Sequence, residues 1–370
     1  MRTRLKIAVA VARFSITGVP LAQIRFARAL AAAGHDVDFI VGSVPRGLSV
    51  PDLPEVRVID LGKLRARDMM IPLWRYLRES RPDIVFSAED HLNAVVLGAA
   101  IVARSNAKIS GSSRVSPFDS YSRTILTKGW WRKLGMQAVA WRADALTCVS
   151  KDMVDQYRGI FRSSKHLWAY NIIDDEGSRA RLHEALEDSW FTVKDLPIIV
   201  GAGSLEPRKG FPDLIRALGH LKQKGRLARL VILGEGSQRP ELEELIDELG
   251  LRDFVRLPGA VLNPLKYFSR ADVFVLSSRA EGLPNVLIEA MMAGCTPVST
   301  DCPTGPREAL GGGEYGYLAP VGNAVALASG IEQALDNPIP KERLAEAVRP
   351  FKEEAVLARH FEILGLSSNG

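Results

Sequence analysis

Cysteine is scarce in this chain. Cys148, Cys295 and Cys302 are its three cysteines in 370 residues, an odd number without metal-ligand spacing. That speaks against a disulfide framework or a zinc site and fits a reducing cytoplasm. Long apolar runs are missing too: none approaches the roughly 18 residues that suggest a membrane span. The opening MRTRLKIAVAVARFSITG is basic and then apolar, like a signal peptide. Arg13 interrupts it, and it reads better as a first β-strand entering a loop. No internal repeat or low-complexity tract appears. An Asp-x-Asp metal pair is also lacking in any convincing form, because Asp36-Val37-Asp38 lies at a strand start, where its structural reading wins. No nucleic-acid-binding motif accompanies the basic residues, so nucleic acid is not an expected partner.

What is present is a globular composition, 46% apolar and 25% charged. Its length predicts two domains. Residues 1–190 hold 28 Lys+Arg against 20 Asp+Glu, a net +8, whereas residues 191–370 hold 20 against 23, a net −3. Charge alone suits the basic first half to an anionic partner, membrane surface, pyrophosphate-linked lipid or nucleic acid, and the missing motif sets the last of these aside. Short apolar runs alternate with amphipathic segments, the pattern of parallel α/β domains. Strands are predicted at Leu5–Val11, Val37–Val41, Val56–Ile59, Ile84–Ser87, Lys108–Ser110, Ala145–Val149 and Leu167–Tyr170. A second series follows at Pro197–Gly203, Arg229–Leu233, Phe254–Leu257, Ala271–Leu276 and Thr296–Ser299. Helices fill the intervals, and Ser150 is placed to cap one of them. The expected organisation is a Rossmann-like domain over 1–170, a charged connection over 171–195 and a second Rossmann-like domain over 196–340. A helical segment over 341–370 would return to the first domain. Ligands would bind at the carboxyl ends of the strands, in a cleft between the domains.

Three stretches carry chemistry. Gly201-Ala-Gly-Ser-Leu-Glu-Pro-Arg-Lys-Gly210 leaves a strand for a helix, with Arg208 and Lys209 at the helix entrance. It is either an ordinary turn or a diphosphate cradle, in which Arg forks two oxygens and Lys acts as a point charge. Gly234-Glu235-Gly236 reads as a strand-ending bend. Residues 277–308, SSRAEGLPNVLIEAMMAGCTPVSTDCPTGPRE, follow an apolar strand. Pro284 suits the first turn of the helix there. The backbone N–H groups of 282–285 and the side chain of Asn285 suit a phosphate or sugar hydroxyls. Glu281 precedes the helix and Glu289 follows eight residues on, a little over two turns. Two solvated glutamates are the bland alternative.

This last stretch resembles the signature of glycosyltransferase family 4 (group 1), retaining enzymes with the two-domain GT-B fold. Glu281 and Glu289 match its E-x7-E motif. GSLEPRKGFPDLIRAL is similar to the family's phosphate loop, and LVILGEGSQRPELEELIDELGL and VRLPGAVLNPLKYFSRADVFVLSS to its neighbouring units. The N-terminal half matches more loosely, through RPDIVFSAEDHLNAVVLGAA and WRADALTCVSKDM. The resemblance implies an α/β GT-B fold and transfer of a hexose or N-acetylhexosamine from a nucleotide-sugar, UDP favoured over GDP. It implies a glycan or polyprenyl-diphosphate-linked acceptor, a bacterial cell-surface polysaccharide setting and no required metal or cofactor. Gly203, Ser204, Arg208 and Lys209 would meet the diphosphate, and Leu257, Pro258 and Gly259 the base. Glu281, Gly282, Leu283, Pro284 and Asn285 would hold the sugar, and Glu289 the ribose. Arg208, Lys209 and Glu281 would act in catalysis. The family often carries Gly-Arg-Leu where this chain has Gly203-Ser204-Leu205, so Arg208 is expected to replace the missing charge. A histidine common in the family's N-terminal domain is replaced near Ile109–Arg114. Gly18, His91, Ser112 and Arg114 are therefore the acceptor-side candidates, with a helix-cap role the alternative for His91. Other nucleotide-sugar chemistry on the same fold, or a silent binding subunit, are the rival readings.

Thr127-Lys-Gly-Trp-Trp-Arg-Lys-Leu134 sets two tryptophans among three cations, and Lys63–Ile71 mixes basic and apolar residues. Both suit contact with anionic lipid headgroups at the inner face of a membrane. A buried helix with exposed lysines is the alternative.

Overall fold

The computed structural model describes residues 4–15, 18–161, 165–193 and 195–366. The chain divides into two compact units, one of residues 1–172 with 353–370 and the other of residues 173–352.

The first unit is built on seven parallel strands: β1 (Lys6–Val11), β2 (Asp36–Val41), β3 (Val56–Asp60), β4 (Ile84–Ala88), β5 (Lys108–Ser113), β6 (Ala145–Cys148) and β7 (His166–Trp168). They lie in the order β3-β2-β1-β4-β5-β6-β7. Central strands such as IVFSA are buried throughout because helices cover both faces, hence their apolar sequence. The helix Gly18–Ala32 buries Ile24, Phe26, Ala27 and Leu30. Phe26 meets Phe86 edge to face at 4.9 Å and lies 4.7 Å from His360 of the helix Glu353–Ile363. Ser150 accepts a hydrogen bond from the Met153 amide (3.4 Å), capping the helix Lys151–Phe161. Asp38 of the Asp-x-Asp pair is bound by Arg57 at 2.7 Å and by the Tyr76 hydroxyl at 2.5 Å, a structural role.

The second unit holds six parallel strands: β8 (Ile198–Ala202), β9 (Arg229–Leu233), β10 (Val255–Gly259), β11 (Val273–Leu276), β12 (Thr296–Thr300) and β13 (Tyr317–Ala319). Their order is β10-β9-β8-β11-β12-β13. β13 was not anticipated, because three residues after Gly311-Gly-Gly-Glu-Tyr-Gly316 carry too little pattern to read as a strand.

Two expected boundaries move. The stretch expected as a connection, 171–195, contains two short helices, Glu176–Leu182 capped by Asp175 and Ser189–Thr192 capped by Asp188. They pack into the second unit: Trp190 and Phe191 are buried, and Arg256 stacks at 4.0 Å over the Trp190 ring while pairing with Asp188 at 2.8 Å. The charge that suggested a free connection instead satisfies caps and ion pairs. The C-terminal helical segment breaks at Pro350, which cannot continue a helix. Lys341–Val348 stays with the second unit, and Glu353–Ile363 belongs to the first.

Candidate functional site

In the second unit the strand order reverses between β8 and β11, so the loops leaving their carboxyl ends diverge and open a crevice, the usual ligand position of such sheets. From β8 the chain passes Gly203 and the exposed Ser204, makes a tight turn at Pro207–Lys209 and enters the helix Phe211–Gln223. Gly210 has φ +64°, and a Cβ there would stand 2.1 Å from the Ser277 carbonyl oxygen. Only glycine lets the two loops approach so closely. Further bonds lock them together: the Ser277 hydroxyl donates to the Lys209 carbonyl and the Arg279 amide to the Arg208 carbonyl, both at 2.8 Å. Arg279 also pairs with Asp213 at 3.1 Å.

The result brings Arg208, Lys209 and Glu281 together. Lys209 Nζ lies 2.6 Å from Glu281 Oε1, and both side chains are largely buried, 13% and 8% exposed. The buried Ser278 hydroxyl donates to the same oxygen at 2.7 Å. Arg208, half-exposed, donates to Glu281 Oε2 at 3.3 Å and to the Ala280 carbonyl at 2.8 Å. The Thr304 hydroxyl donates to the Glu281 carbonyl. Burial, with the Glu281 charge second, pushes the Cys302 thiol up to about 11, so it stays a neutral packing residue. Ser278 and Thr304 belong to this cluster and had no signal in the sequence beyond lying in the signature stretch.

Gly282, Leu283 and Pro284 lead into the helix Asn285–Met292, which carries Glu289 buried on its second turn. Pro284 itself, at ψ 86°, stands just before the helix as its cap residue, not inside its first turn. On the other side of β8, the amide of Gly234 donates to the Gly259 carbonyl at 2.9 Å, and a Cβ on Gly234 would collide with the Gly203 carbonyl at 1.8 Å. The 234–236 bend is thus a crossing point for the 203–205 loop. β10 pairs irregularly with β9 between Arg256 and Gly259, which takes Leu257 and Pro258 out of the ladder. Arg239 fills part of that gap, donating to the Leu257 carbonyl at 3.2 Å and to Glu235 at 2.6 Å. That pairing holds the Glu235 carboxyl below its usual range.

In the first unit the order reverses between β1 and β4. Gly18, at φ +66°, heads the helix after β1. His91 is exposed on the first turn of the helix Asp90–Ala103, 3.6 Å from Glu89, and makes no cap bond. Ser112 lies near the end of β5, and Arg114 follows that strand. Two residues here escaped sequence reasoning. Glu89 has φ +80°, rare for a residue with a side chain, and burial raises its carboxyl pKa. Asp90 is buried and raised as well, and accepts from Ser113 at 2.5 Å and from the Tyr157 hydroxyl at 2.6 Å. Among the described residues, no group of three His, Cys, Asp or Glu is placed to hold a metal ion.

The family model described as "Glycosyl transferases group 1" matches residues 183–351, and the one described as "Glycosyl transferase 4-like domain" matches residues 17–167. An uncharacterized glycosyltransferase of Methanocaldococcus jannaschii is 30% identical, over 64% of this chain and 60% of that protein. The N-acetylgalactosamine-N,N'-diacetylbacillosaminyl-diphospho-undecaprenol 4-alpha-N-acetylgalactosaminyltransferase of Campylobacter jejuni is 39% identical, over 45% of this chain and 44% of that protein. The chain thus spans about half the length of the curated relatives it matches. Among solved structures, Anabaena HepE in complex with UDP superposes with a TM-score of 0.76 at 18% identity, covering 98% of this chain and 100% of that one. This likeness establishes the fold, GT-B.

Proposed function

Because the chain belongs to the group 1 glycosyltransferases of family 4, matching family models over both of its units, we propose that it is a retaining glycosyltransferase. It moves a hexose or N-acetylhexosamine from a UDP-sugar to a glycan or polyprenyl-diphosphate-linked acceptor in cell-surface polysaccharide synthesis. The observation that carries this reading is the Arg208–Lys209–Glu281 cluster at the carboxyl ends of β8 and β11. The HepE complex with UDP and the undecaprenol-linked substrate in the Campylobacter enzyme's name support the donor nucleotide and the acceptor class.

Breaking the bond between sugar and diphosphate leaves positive charge on the sugar and negative charge on the leaving group. Fixed cations at that leaving group bind the transition state more strongly than the ground state. Lys209 is held by a buried carboxylate and Arg208 by a carbonyl, so both are pre-oriented. In this reading Glu281 sits at the reacting sugar, Glu289 at the ribose, and the irregular stretch of β10 at the base. The acceptor hydroxyl attacks from the side the diphosphate leaves, which assists its deprotonation. Because Arg208 and Lys209 neutralise the diphosphate, no metal or cofactor is required, and transfer is expected to continue in excess EDTA. Thermal unfolding against a panel of nucleotide-sugars tests the donor: the right one raises Tm, and Lys209→Ala abolishes the rise. A panel of UDP- and GDP-sugars that leaves Tm unmoved would count against the reading.

The acceptor side is proposed to face an anionic membrane surface at the inner leaflet. Ile125, Leu126, Trp131 and Trp141 are exposed in the first unit, 58–73% of each, and the first three lie within six residues of Lys128, Arg132 or Lys133 in sequence. In the 63–71 stretch Leu64 and Ile71 are exposed too. The contact proposed is peripheral; among the described residues no helix is long and apolar enough to cross a membrane.

A further inference from the structure

The first unit contains a small pocket that the donor chemistry does not use. Its floor comes from β5. Ser110, Ser112 and Arg114 are spaced by two, the period that puts alternate side chains of an extended segment on one face, and all three line the pocket. Gln23, Asn171 and His360 complete its polar wall.

Arg114 sets the chemistry. Its Nε and Nη1 are sealed from solvent and meet no hydrogen-bond acceptor among the described residues. An arginine has five donors, no acceptor, and stays charged in proteins. A guanidinium with two nitrogens so sealed normally has a carboxylate partner, and Arg114 forms no ion pair among the described residues. Glu89 is near enough to favour the charge, but burial dominates and lowers the Arg114 pKa to about 10. His360, across the pocket, is held neutral, its pKa pushed down to about 3 by burial and then by Arg114 and Arg359. The lining contains no aspartate or glutamate. A neutral polyol would satisfy the N–H groups and leave the charge unbalanced. An oxyanion satisfies both, with a guanidinium fork and serine hydroxyls to bind it.

We propose that this pocket is an oxyanion site, taking a phosphate-type group on Arg114, Ser110 and Ser112. The site stands on its own geometry. Its identification with the phosphate of an acceptor rests on the glycosyltransferase reading, whereas free phosphate would present the same chemistry.

The test is calorimetric titration of the full chain, in chloride buffer, with inorganic phosphate, geranyl diphosphate and UDP. Wild type is expected to bind phosphate, and geranyl diphosphate to displace it. Arg114→Gln should weaken both at least tenfold, and Arg114→Lys, which keeps charge but loses the fork, by less. UDP binding should be unchanged in both variants, since Lys209 lies in the other unit. Phosphate that geranyl diphosphate fails to displace upholds the site and makes free phosphate its ligand. No binding of either anion by wild type at about 20 mM, or equal binding by Arg114→Gln, overturns the site. Failure of wild type to bind UDP removes the donor reading and leaves the pocket untouched. Should the glutamine variant not fold, hydrogen exchange of wild type decides: slowing at residues 110–114 with phosphate upholds the site, and no slowing overturns it.

Discussion

At the scale of single residues, the chain departs from its family at Ser204, and Arg208 stands four residues on. Arg208 is anchored on the Ala280 carbonyl and reaches Glu281. If it supplies the missing phosphate charge, Arg208→Ala should lower kcat/KM about a hundredfold, the loss typical of one charge-stabilising group. Ser204→Arg added to that variant should recover part of the activity, as measured by initial rates; no recovery would mean that Arg208 does something else. His360 offers a different test. Its folded pKa, about 3, lies below the unfolded value near 6.5, so the native state favours the neutral ring. Its contribution is fully present above pH 6.5 and is lost as pH falls toward 3, because the unfolded chain then binds a proton that the native chain refuses. At pH 5 the loss is about 2 kcal/mol. His360→Phe should flatten the pH dependence of urea unfolding between pH 4 and 6.5; an unchanged slope would refute the assignment.

At the scale of elements, Gly210 joins the two loops of the site. Ala there meets a left-handed backbone and the Ser277 carbonyl at 2.1 Å. The backbone alone costs about 1–2 kcal/mol. Gly210→Ala should therefore lower Tm and weaken UDP together, because Lys209 is its neighbour; a variant that loses stability yet keeps full UDP affinity would uncouple the two. Much of this architecture was legible. β8 and β11 read as strands because strands covered on both faces are continuously apolar, and the signature stretch announced Glu281 and Glu289. The rest was not, for physical reasons. β13 is three residues long. The break at Pro350 was overridden by the amphipathic period on both sides of it. The Lys209–Glu281 contact spans 72 residues of sequence, so only the fold brings the pair together. Glu89 looked like one more polar residue at a strand end, since a positive φ has no signature unless glycine occupies it. Ser110, Ser112 and Arg114 did carry a period of two, but that Arg114 Nε and Nη1 lack a partner among the described residues is a property of the packed unit.

For the molecule as a whole, charge and exposed aromatics bear on where it works. Residues 1–190 carry a net +8, and the segment around Trp131 combines exposed apolar side chains with Arg132 and Lys133. Thr127 caps the helix Lys128–Val139, which fixes Trp130 and Trp131 on its first turn, their rings 4.7 Å apart. Trp131 is 58% exposed, so its removal should leave folding intact while removing an interfacial anchor. Each cation near an anionic bilayer contributes about 1 kcal/mol. Replacing Arg132 and Lys133 with alanine should therefore weaken binding to phosphatidylglycerol vesicles by about 2 kcal/mol, roughly thirtyfold. Flotation at about 0.1 M salt should recover wild type with anionic vesicles and not with phosphatidylcholine alone, and salt near 1 M should release it as screening shortens the reach of the charges. Trp131→Ala should weaken binding at about 0.1 M salt even with both cations in place, because its contribution is apolar burial. Wild type left at the bottom of the gradient with anionic vesicles would show that the segment does not face a membrane.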